Sequence, residues 1–295
     1  MSVWKLFAIL AIVLVALGGF AACSPAALLN SVTPSSAFDR DKGIAYGDLP
    51  RQTLDVYRAV DPREGAPTVL FVHGGGWEDG DKKLYKFIGD AFAKEGYDVV
   101  VPNYRLHPEA VYPDTVTDTA KAAAWAAQTL GKPVVLMGHS AGAYNILQAV
   151  FAPEIASANG LDVCTSVAGV VSLAGPTGAY ELKEEPYVSV FPGRFLGDDA
   201  PLNRAQAGFT DVPRILFVHG DEDTTVGPKN STALGTLLGP RASVALFEGR
   251  GHVDVVRLLA RRFEDDSTIK TTVVNFIESL PESGFCANAP VGALQ

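Results

Sequence analysis

The middle and end of the chain alternate between short apolar runs and longer segments with apolar residues at helical spacing. Residues 54–58 alternate apolar and polar positions like a half-buried strand, whereas 68–72 are continuously apolar, as in strands covered on both faces. The spacing in 83–95 predicts a helix. The same reasoning predicts strands over 98–101, 133–137, 169–173, 214–218 and 243–247, and helices over 114–130, 141–151 and 268–280.

Strands that alternate with helices predict an α/β fold with a mostly parallel central sheet and helices on both faces. In such sheets, functional residues gather at the carboxyl ends of the strands. We find no internal repeat, so residues 43–295 are predicted to form a single domain. Residues 176–211 have little periodicity and are interpreted as a small lid or pocket wall, or as an ordinary surface excursion.

The first 42 residues differ from the rest. Lys5 is the only charged residue before Asp39, and residues 6–22 are apolar. This anatomy predicts an export signal over 1–22. Residues 23–42, rich in Ala, Ser, Pro and Thr, predict a flexible tether.

Cys23 follows two alanines and resembles the cysteine of a bacterial lipobox, which is lipidated after cleavage. We therefore expect an exported, periplasm-facing protein that reaches the membrane only through its signal or lipid anchor. Phe20 stands where a lipobox usually has Leu. The alternatives are an uncleaved membrane anchor, or plain secretion with Cys23 removed.

Net charge and cysteine content bear on which partners the chain binds and on whether a disulfide can form. The net charge is −9 and no Lys/Arg cluster stands out, so the chain lacks the electrostatic signature of nucleic-acid binding. If Cys23 carries lipid, Cys164 and Cys286 are the two cysteines that remain. An oxidising compartment would let them form a disulfide, and two separate thiols are the alternative.

A nucleophile motif follows the predicted strand 133–137. The sequence from Gly138 to Gly142 reads G-H-S-A-G and opens the predicted helix 141–151. This is the G-x-S-x-G pattern in the strand–turn–helix context that it requires, where a sharp turn holds a serine hydroxyl away from the backbone. Ser140 is therefore the candidate nucleophile.

A glycine loop, H-G-G-G-W from His73 to Trp77, follows the strand 68–72. Acyl transfer needs donors for the oxyanion of its tetrahedral intermediate, and N–H groups in a glycine loop can approach it without a blocking side chain. We assign Gly75 and Gly76 to this oxyanion hole, together with the N–H of Ala141. A purely conformational glycine turn is the alternative.

The base is selected by elimination among five histidines. A serine nucleophile needs a base. In α/β proteins that carry the G-x-S-x-G turn, the order of these groups along the chain is Ser, then Asp or Glu, then His. Only His252 follows the acidic cluster after residue 219. That cluster contains Asp221, Glu222 and Asp223, and the residues alone do not choose among them.

With these motifs the chain resembles the carboxylesterase branch of the α/β-hydrolases, specifically BD-FAE-like esterases, which also resemble hormone-sensitive-lipase and arylformamidase-type enzymes. The resemblance spans about residues 45–260. Its motifs are L-D-V-Y-R at 54–58, H-G-G-G-W at 73–77 with G-D-K at 80–82, N-Y-R-L at 103–106, G-H-S-A-G at 138–142, and H-G-D-E-D-T-T-V at 219–226. The family pattern H-G-x-x-D-x-x-V implies Asp223 as the acid.

The resemblance implies a serine hydrolase that cleaves carboxylic esters through an acyl-enzyme, with Ser140, Asp223 and His252 as triad and no metal or cofactor. The hormone-sensitive-lipase branch usually has Asp before the serine, where this chain has His139, and carries a longer N-terminal cap. Both departures favour minimal or no lid and small soluble substrates. The alternatives are an amide hydrolase of arylformamidase or peptidase type, and a catalytically inactive hydrolase fold used for binding.

Overall fold

A single sheet organises the molecule. The computed structural model describes residues 25–179, 185–192, 199–265 and 268–286. Within them, eight strands hydrogen-bond in the order β1-β2-β4-β3-β5-β6-β7-β8. Their bounds are Phe38–Ala45 (β1), Thr53–Ala59 (β2), Thr68–Val72 (β3), Val99–Pro102 (β4), Val134–His139 (β5), Val167–Leu173 (β6), Arg214–Gly220 (β7) and Ala242–Phe247 (β8).

The sheet is parallel except at one edge. β1 pairs with β2 and β2 with β4 in antiparallel fashion, whereas every pairing from β4 across to β8 is parallel. Every residue of β3, β5 and β6 is buried, because helices cover both faces of the sheet centre. This explains the continuous apolar runs and confirms the predicted α/β architecture.

Helices form a layer on each side of the sheet. The described helices are Pro25–Val32 (α1), Lys86–Ala93 (α2), Asp114–Leu130 (α3), Ala141–Phe151 (α4), Pro153–Ala158 (α5), Val163–Ser166 (α6), Tyr187–Val190 (α7), Pro201–Gln206 (α8), Lys229–Leu238 (α9), Asp254–Arg257 (α10) and Ile269–Glu278 (α11). One apolar cluster joins α3, α4, α8 and α9 to the sheet, and another joins α1, α2, α10 and α11. No helix in these ranges is both long and apolar enough to span a bilayer.

The predicted tether over 23–42 is wrong for the residues that the structure describes. They form α1 and most of β1, and β1 extends the sheet, so the boundary predicted at residue 43 falls too late. Leu29 and Phe38 are buried, and the Phe38 ring packs on Tyr57 at 4.9 Å. The segment is rich in Ala, Ser, Pro and Thr and has no clear periodicity, so its sequence did not predict these tertiary contacts. The export signal over 1–22 and Cys23 lie outside the described residues.

The structure also describes part of the stretch that was interpreted as a lid, a pocket wall or a surface excursion. In the stretch 176–211, the described residues include α7, whose Tyr187 packs edge-on against Trp77 at 6.0 Å, so this part is a wall beside the glycine loop.

Cys164 in α6 and Cys286 after α11 form a disulfide with Cα atoms 5.1 Å apart. The C-terminal end of the described chain is thereby joined to the edge of the helical layer.

Candidate active site

Ser140 lies in the turn between β5 and α4, at the carboxyl edge of the sheet. Its backbone has φ 54° and ψ −121°, a region that residues with a Cβ rarely adopt and that costs about 1–3 kcal/mol. The Ser140 N–H donates to the carbonyl oxygen of Leu173 at 3.0 Å, which anchors the turn to β6. This conformation holds the hydroxyl clear of the backbone, as the motif predicts.

Gly142 allows the start of α4 to lie against the end of β3. A Cβ at this position would lie 2.2 Å from the carbonyl oxygen of Val72 and 2.4 Å from that of His73. Any side chain would therefore push α4 away from the glycine loop. The second glycine of the motif thus keeps the nucleophile and the proposed oxyanion donors together.

The structure brings the three predicted triad residues into one hydrogen-bonded chain. His252 Nε2 lies 2.9 Å from Ser140 Oγ, and His252 Nδ1 lies 2.8 Å from Asp223 Oδ2. Asp223 follows β7 and His252 follows β8, so both side chains come from the same edge of the sheet as Ser140. The arrangement can pass the hydroxyl proton to the imidazole and stabilise the resulting cation.

The carboxylate of Asp223 is fixed from several directions. Its Oδ1 accepts hydrogen bonds from the N–H groups of Thr225 and Val226, each at 2.9 Å. Burial alone would raise the pKa of Asp223, but hydrogen bonds from His219 and His252 and from the Val226 N–H outweigh it and hold the pKa well below its usual value. The group therefore stays ionised opposite the imidazole.

The other two acidic candidates are solvent-exposed. Asp221 Oδ1 accepts a hydrogen bond from the Gly249 N–H at 2.8 Å, whereas the hydrogen bond to the His252 imidazole is made by Asp223. Asp221 thereby fixes the loop that carries His252. The choice that the residues alone left open falls on the position implied by the family pattern.

His219, which sequence reasoning passed over, is a second histidine beside the carboxylate of Asp223. Its Nε2–H donates to the Val226 carbonyl at 2.6 Å and lies 3.2 Å from Asp223 Oδ2, and its Nδ1 accepts from the Ser231 hydroxyl at 2.7 Å. The side chain is fully buried. The spacing of four residues between His219 and Asp223 was the available signal.

His139, which the sequence analysis treated only as a departure from the hormone-sensitive-lipase pattern, supports His252. Its Nε2–H donates to the backbone carbonyl of His252 at 3.0 Å, and the two rings pack with centroids 4.8 Å apart. Burial first, and then the charge of His252, lower the pKa of His139 to about 3. His139 is therefore a neutral support beside a base that must accept a proton.

The glycine loop presents backbone donors to the nucleophile. Gly75 has φ 121°, and a Cβ there would lie 2.0 Å from the Asp79 carbonyl oxygen, so only glycine fits this turn. Within the described chain, no hydrogen bond uses the N–H of Gly75, Gly76 or Ala141. Ala141 also stands at the positive end of α4. These three groups can bind a developing oxyanion.

A pocket of about 340 Å³ opens above these groups. Ser140 and His252 line it beside Gly75 and Gly76, and most of the remaining surface is apolar. A cavity of this size suits a small molecule. Among residues 25–179, 185–192, 199–265 and 268–286, no three His, Cys, Asp or Glu side chains are grouped to hold a metal ion.

The sequence profile of the BD-FAE family matches residues 54–238. The chain belongs to the BD-FAE family. The match includes the glycine loop, the nucleophile turn and Asp223, and ends before His252. The BD-FAE relationship agrees with the resemblance given by the sequence motifs.

Several curated proteins are similar to this BD-FAE chain. "Probable isoprenylcysteine alpha-carbonyl methylesterase ICME" of Oryza sativa subsp. japonica is 26% identical over 240 residues, covering 72% of this chain and 58% of that protein. The chain thus spans less than two thirds of the length of that relative. Kynurenine formamidase of Drosophila melanogaster is 27% identical over 249 residues, covering 79% of this chain and 80% of that protein.

Solved structures with this architecture support the fold. Esterase B from Lactobacillus rhamnosis, with a bound inhibitor, superposes with a TM-score of 0.72 at 20% identity and covers 92% of this chain and 96% of its own. A hormone-sensitive lipase from a metagenome library gives 0.66 at 16% identity, covering 86% and 88%. The BD-FAE chain therefore has the α/β-hydrolase fold, which confirms the fold prediction.

Proposed function

We propose that the protein is a serine hydrolase that cleaves small carboxylic esters through an acyl-enzyme. The observation that carries the proposal is the continuous contact from Asp223 through His252 to Ser140, at the floor of a pocket lined also by Gly75 and Gly76. Nucleophile, base, orienting acid and oxyanion donors are the complete set of groups that acyl transfer requires. Relatives named as esterases support the same chemistry.

In the first half of the reaction, Ser140 Oγ attacks the ester carbonyl carbon while His252 Nε2 takes the hydroxyl proton. The carbonyl oxygen becomes an oxyanion, which the N–H groups of Gly75, Gly76 and Ala141 stabilise. The carbon–oxygen bond to the alcohol then breaks, and His252 gives its proton to the departing oxygen. Asp223 stays ionised and stabilises the imidazolium.

In the second half, a water molecule takes the place of the alcohol. His252 removes its proton, the resulting nucleophile attacks the acyl carbon, and a second oxyanion forms on the same donors. Collapse of this intermediate breaks the bond to Ser140 Oγ, which recovers its proton from His252. The acid leaves, and the enzyme returns to its starting state.

Replacing the nucleophile tests the proposal. Ser140→Ala should lower kcat for p-nitrophenyl acetate by about 10⁴-fold or more, because the acyl-enzyme can no longer form. It should also abolish covalent labelling by a fluorophosphonate probe. Ser157→Ala, at an exposed serine of α5, is the matched control and should retain both activity and labelling.

Two outcomes would contradict the proposal. Wild-type turnover in Ser140→Ala would remove Ser140 from the mechanism. A folded wild-type protein that neither cleaves the ester nor reacts with the probe would favour an inactive hydrolase fold used for binding.

An amide hydrolase is the second candidate, favoured by the similarity to a kynurenine formamidase over 79% of this chain. The same triad serves both reactions, since only the leaving group differs. We expect higher kcat/KM on short aryl esters than on N-formyl arylamines of similar size. The reverse ranking would assign the protein to the amide class while leaving the role of Ser140 unchanged.

We also propose that the protein is exported and anchored through a lipid on Cys23, on the basis of the signal anatomy of residues 1–23. In a bacterial host fed labelled palmitate, the full chain should take up label and sediment with membranes, whereas Cys23→Ser should remain unlabelled. An exported, unlabelled and unsedimented wild-type protein would contradict the anchor and favour plain secretion.

A further inference from the structure

Five apolar or aromatic residues of the pocket lining, called here the apolar wall, are Leu29, Tyr85, Phe87, Val253 and Val256. Tyr85 lies just before α2 and Phe87 within it, whereas Val253 lies just before α10 and Val256 within it. Leu29 is different, because it comes from α1, at the very start of the described chain. It is only 9% exposed and shares one apolar cluster with Phe87 and Val256.

Hydrogen bonds hold α1 against this wall. Asn30 Nδ2 donates to the Lys83 carbonyl at 2.6 Å, and Asn30 Oδ1 accepts from the Phe87 N–H at 3.3 Å. Just after the helix, the carbonyl oxygen of Thr33 accepts from Lys86 Nζ at 2.6 Å. α1 is thus fixed to the start of α2 by contacts at both ends of the Lys83–Phe87 segment.

The chemistry of the pocket suits an uncharged apolar group. Its one cationic lining residue, among those the structure describes, is Arg257, which is already paired with Asp254 at 2.7 Å and stacked on the Phe263 ring. Val253 in the wall is 52% exposed, an apolar surface that a substrate would cover. Apart from this paired arginine and the His252 ring, no lining residue that the structure describes carries or gains a charge near the nucleophile.

We propose that α1 completes the substrate pocket and that Leu29 is a specificity-determining residue, which limits the size of the apolar group in a neutral ester substrate. This inference rests on the proposed function, because it assigns a substrate class to the same site. Each methylene that reaches the wall should raise kcat/KM by about fourfold, until the group meets Leu29. Beyond that length the gain should stop.

Substitutions of Leu29 test the proposal on p-nitrophenyl esters of two, four, six and eight acyl carbons. Leu29→Trp should lower kcat/KM for the longest accepted ester at least about tenfold relative to acetate. Leu29→Ala should move the optimum to longer chains. Asn30→Ala, which removes two hydrogen bonds of α1 without lining the pocket, should flatten the dependence on chain length.

Leu237→Trp and Leu237→Ala are the matched controls, because Leu237 is a 42% exposed leucine of α9 that does not line the pocket. Both should keep the wild-type profile. Complete fluorophosphonate labelling of Ser140, whatever its rate, shows that each variant is folded. A parallel series of acetate esters with longer alcohols establishes whether the wall receives the acyl or the alcohol part.

The outcomes separate the two proposals. If the wild-type protein cleaves none of these esters, the proposed function fails. If it cleaves them with Ser140 dependence, but the Leu29 variants have the wild-type profile in both series, the role of α1 is wrong and the esterase function stands.

Discussion

At the scale of single residues, two histidines near the nucleophile are buried as neutral rings. Burial lowers the pKa of His139 to about 3 and that of His73 to about 4. His73 is held by its Nδ1–H, which donates to the Gly74 carbonyl at 2.8 Å, and by stacking on Tyr104 at 4.5 Å. Their neutrality would keep positive charge away from the His252 imidazolium that forms in the proposed reaction.

This neutrality has a consequence for stability in acid. The unfolded chain takes up a proton on each of these histidines below about pH 6.5, but the folded protein does not until about pH 3–4. The contribution of these two neutral histidines to the unfolding free energy is therefore fully present above about pH 6.5. It falls as the pH drops below that value, by about 1.4 kcal/mol per pH unit for each histidine. The low pKa of Asp223 adds a further loss at still lower pH.

His139→Gln should remove one of the two histidine protons that the chain takes up on unfolding in acid. Between pH 4.5 and 6, the plot of unfolding free energy against pH should be shallower than that of the wild type by about 1.4 kcal/mol per pH unit. Urea denaturation at several pH values measures it. Lost packing lowers the unfolding free energy equally at every pH, so the slope is the quantity to compare. Equal slopes for variant and wild type would contradict a buried neutral His139.

At the scale of elements, the disulfide between Cys164 and Cys286 joins α6 to the end of the described chain. Phe285 and Cys286 are buried there, and the Phe285 carbonyl accepts from Arg241 at 2.9 Å. Arg241 lies just before β8, the strand that leads to His252. The cross-link therefore secures the edge of the sheet that carries the base.

We expect the double variant Cys164→Ser with Cys286→Ser to lose about 2–5 kcal/mol of unfolding free energy, because the disulfide closes a loop of 122 residues in the unfolded chain. Chemical denaturation measures this loss. Wild-type protein unfolded in the presence of reductant should give the same lower value. Activity under native conditions should persist, since neither cysteine lines the pocket. Identical midpoints for variant and oxidised wild type would contradict the prediction.

At the scale of the whole molecule, the sequence predicted best what is encoded locally. The turn at Ser140 and the glycine loop at Gly75 are short motifs next to strong strand patterns, and their place at one sheet edge follows from parallel topology. Asp223 required the family pattern, because three neighbouring acids look alike to sequence reasoning. The choice depends on which side chain reaches His252.

Features that depend on contacts between distant residues escaped prediction. α1 and β1 have little periodicity, and the burial of Leu29 and Phe38 depends on contacts with α2 and the folded sheet. Likewise, the supporting role of His139 depends on a carbonyl 113 residues away. Such partners are set by tertiary packing rather than by local propensity.

The position of α1 has one more consequence for a protein held by a lipid on Cys23, as proposed above. Only one residue separates Cys23 from Pro25, a reach of about 7 Å, so the lipid would hold the start of α1, the helix that carries Leu29, close to the bilayer. A protein anchored in this way would stay close to the membrane surface. Its substrates would then be the neutral esters present near that membrane surface, rather than those throughout the compartment.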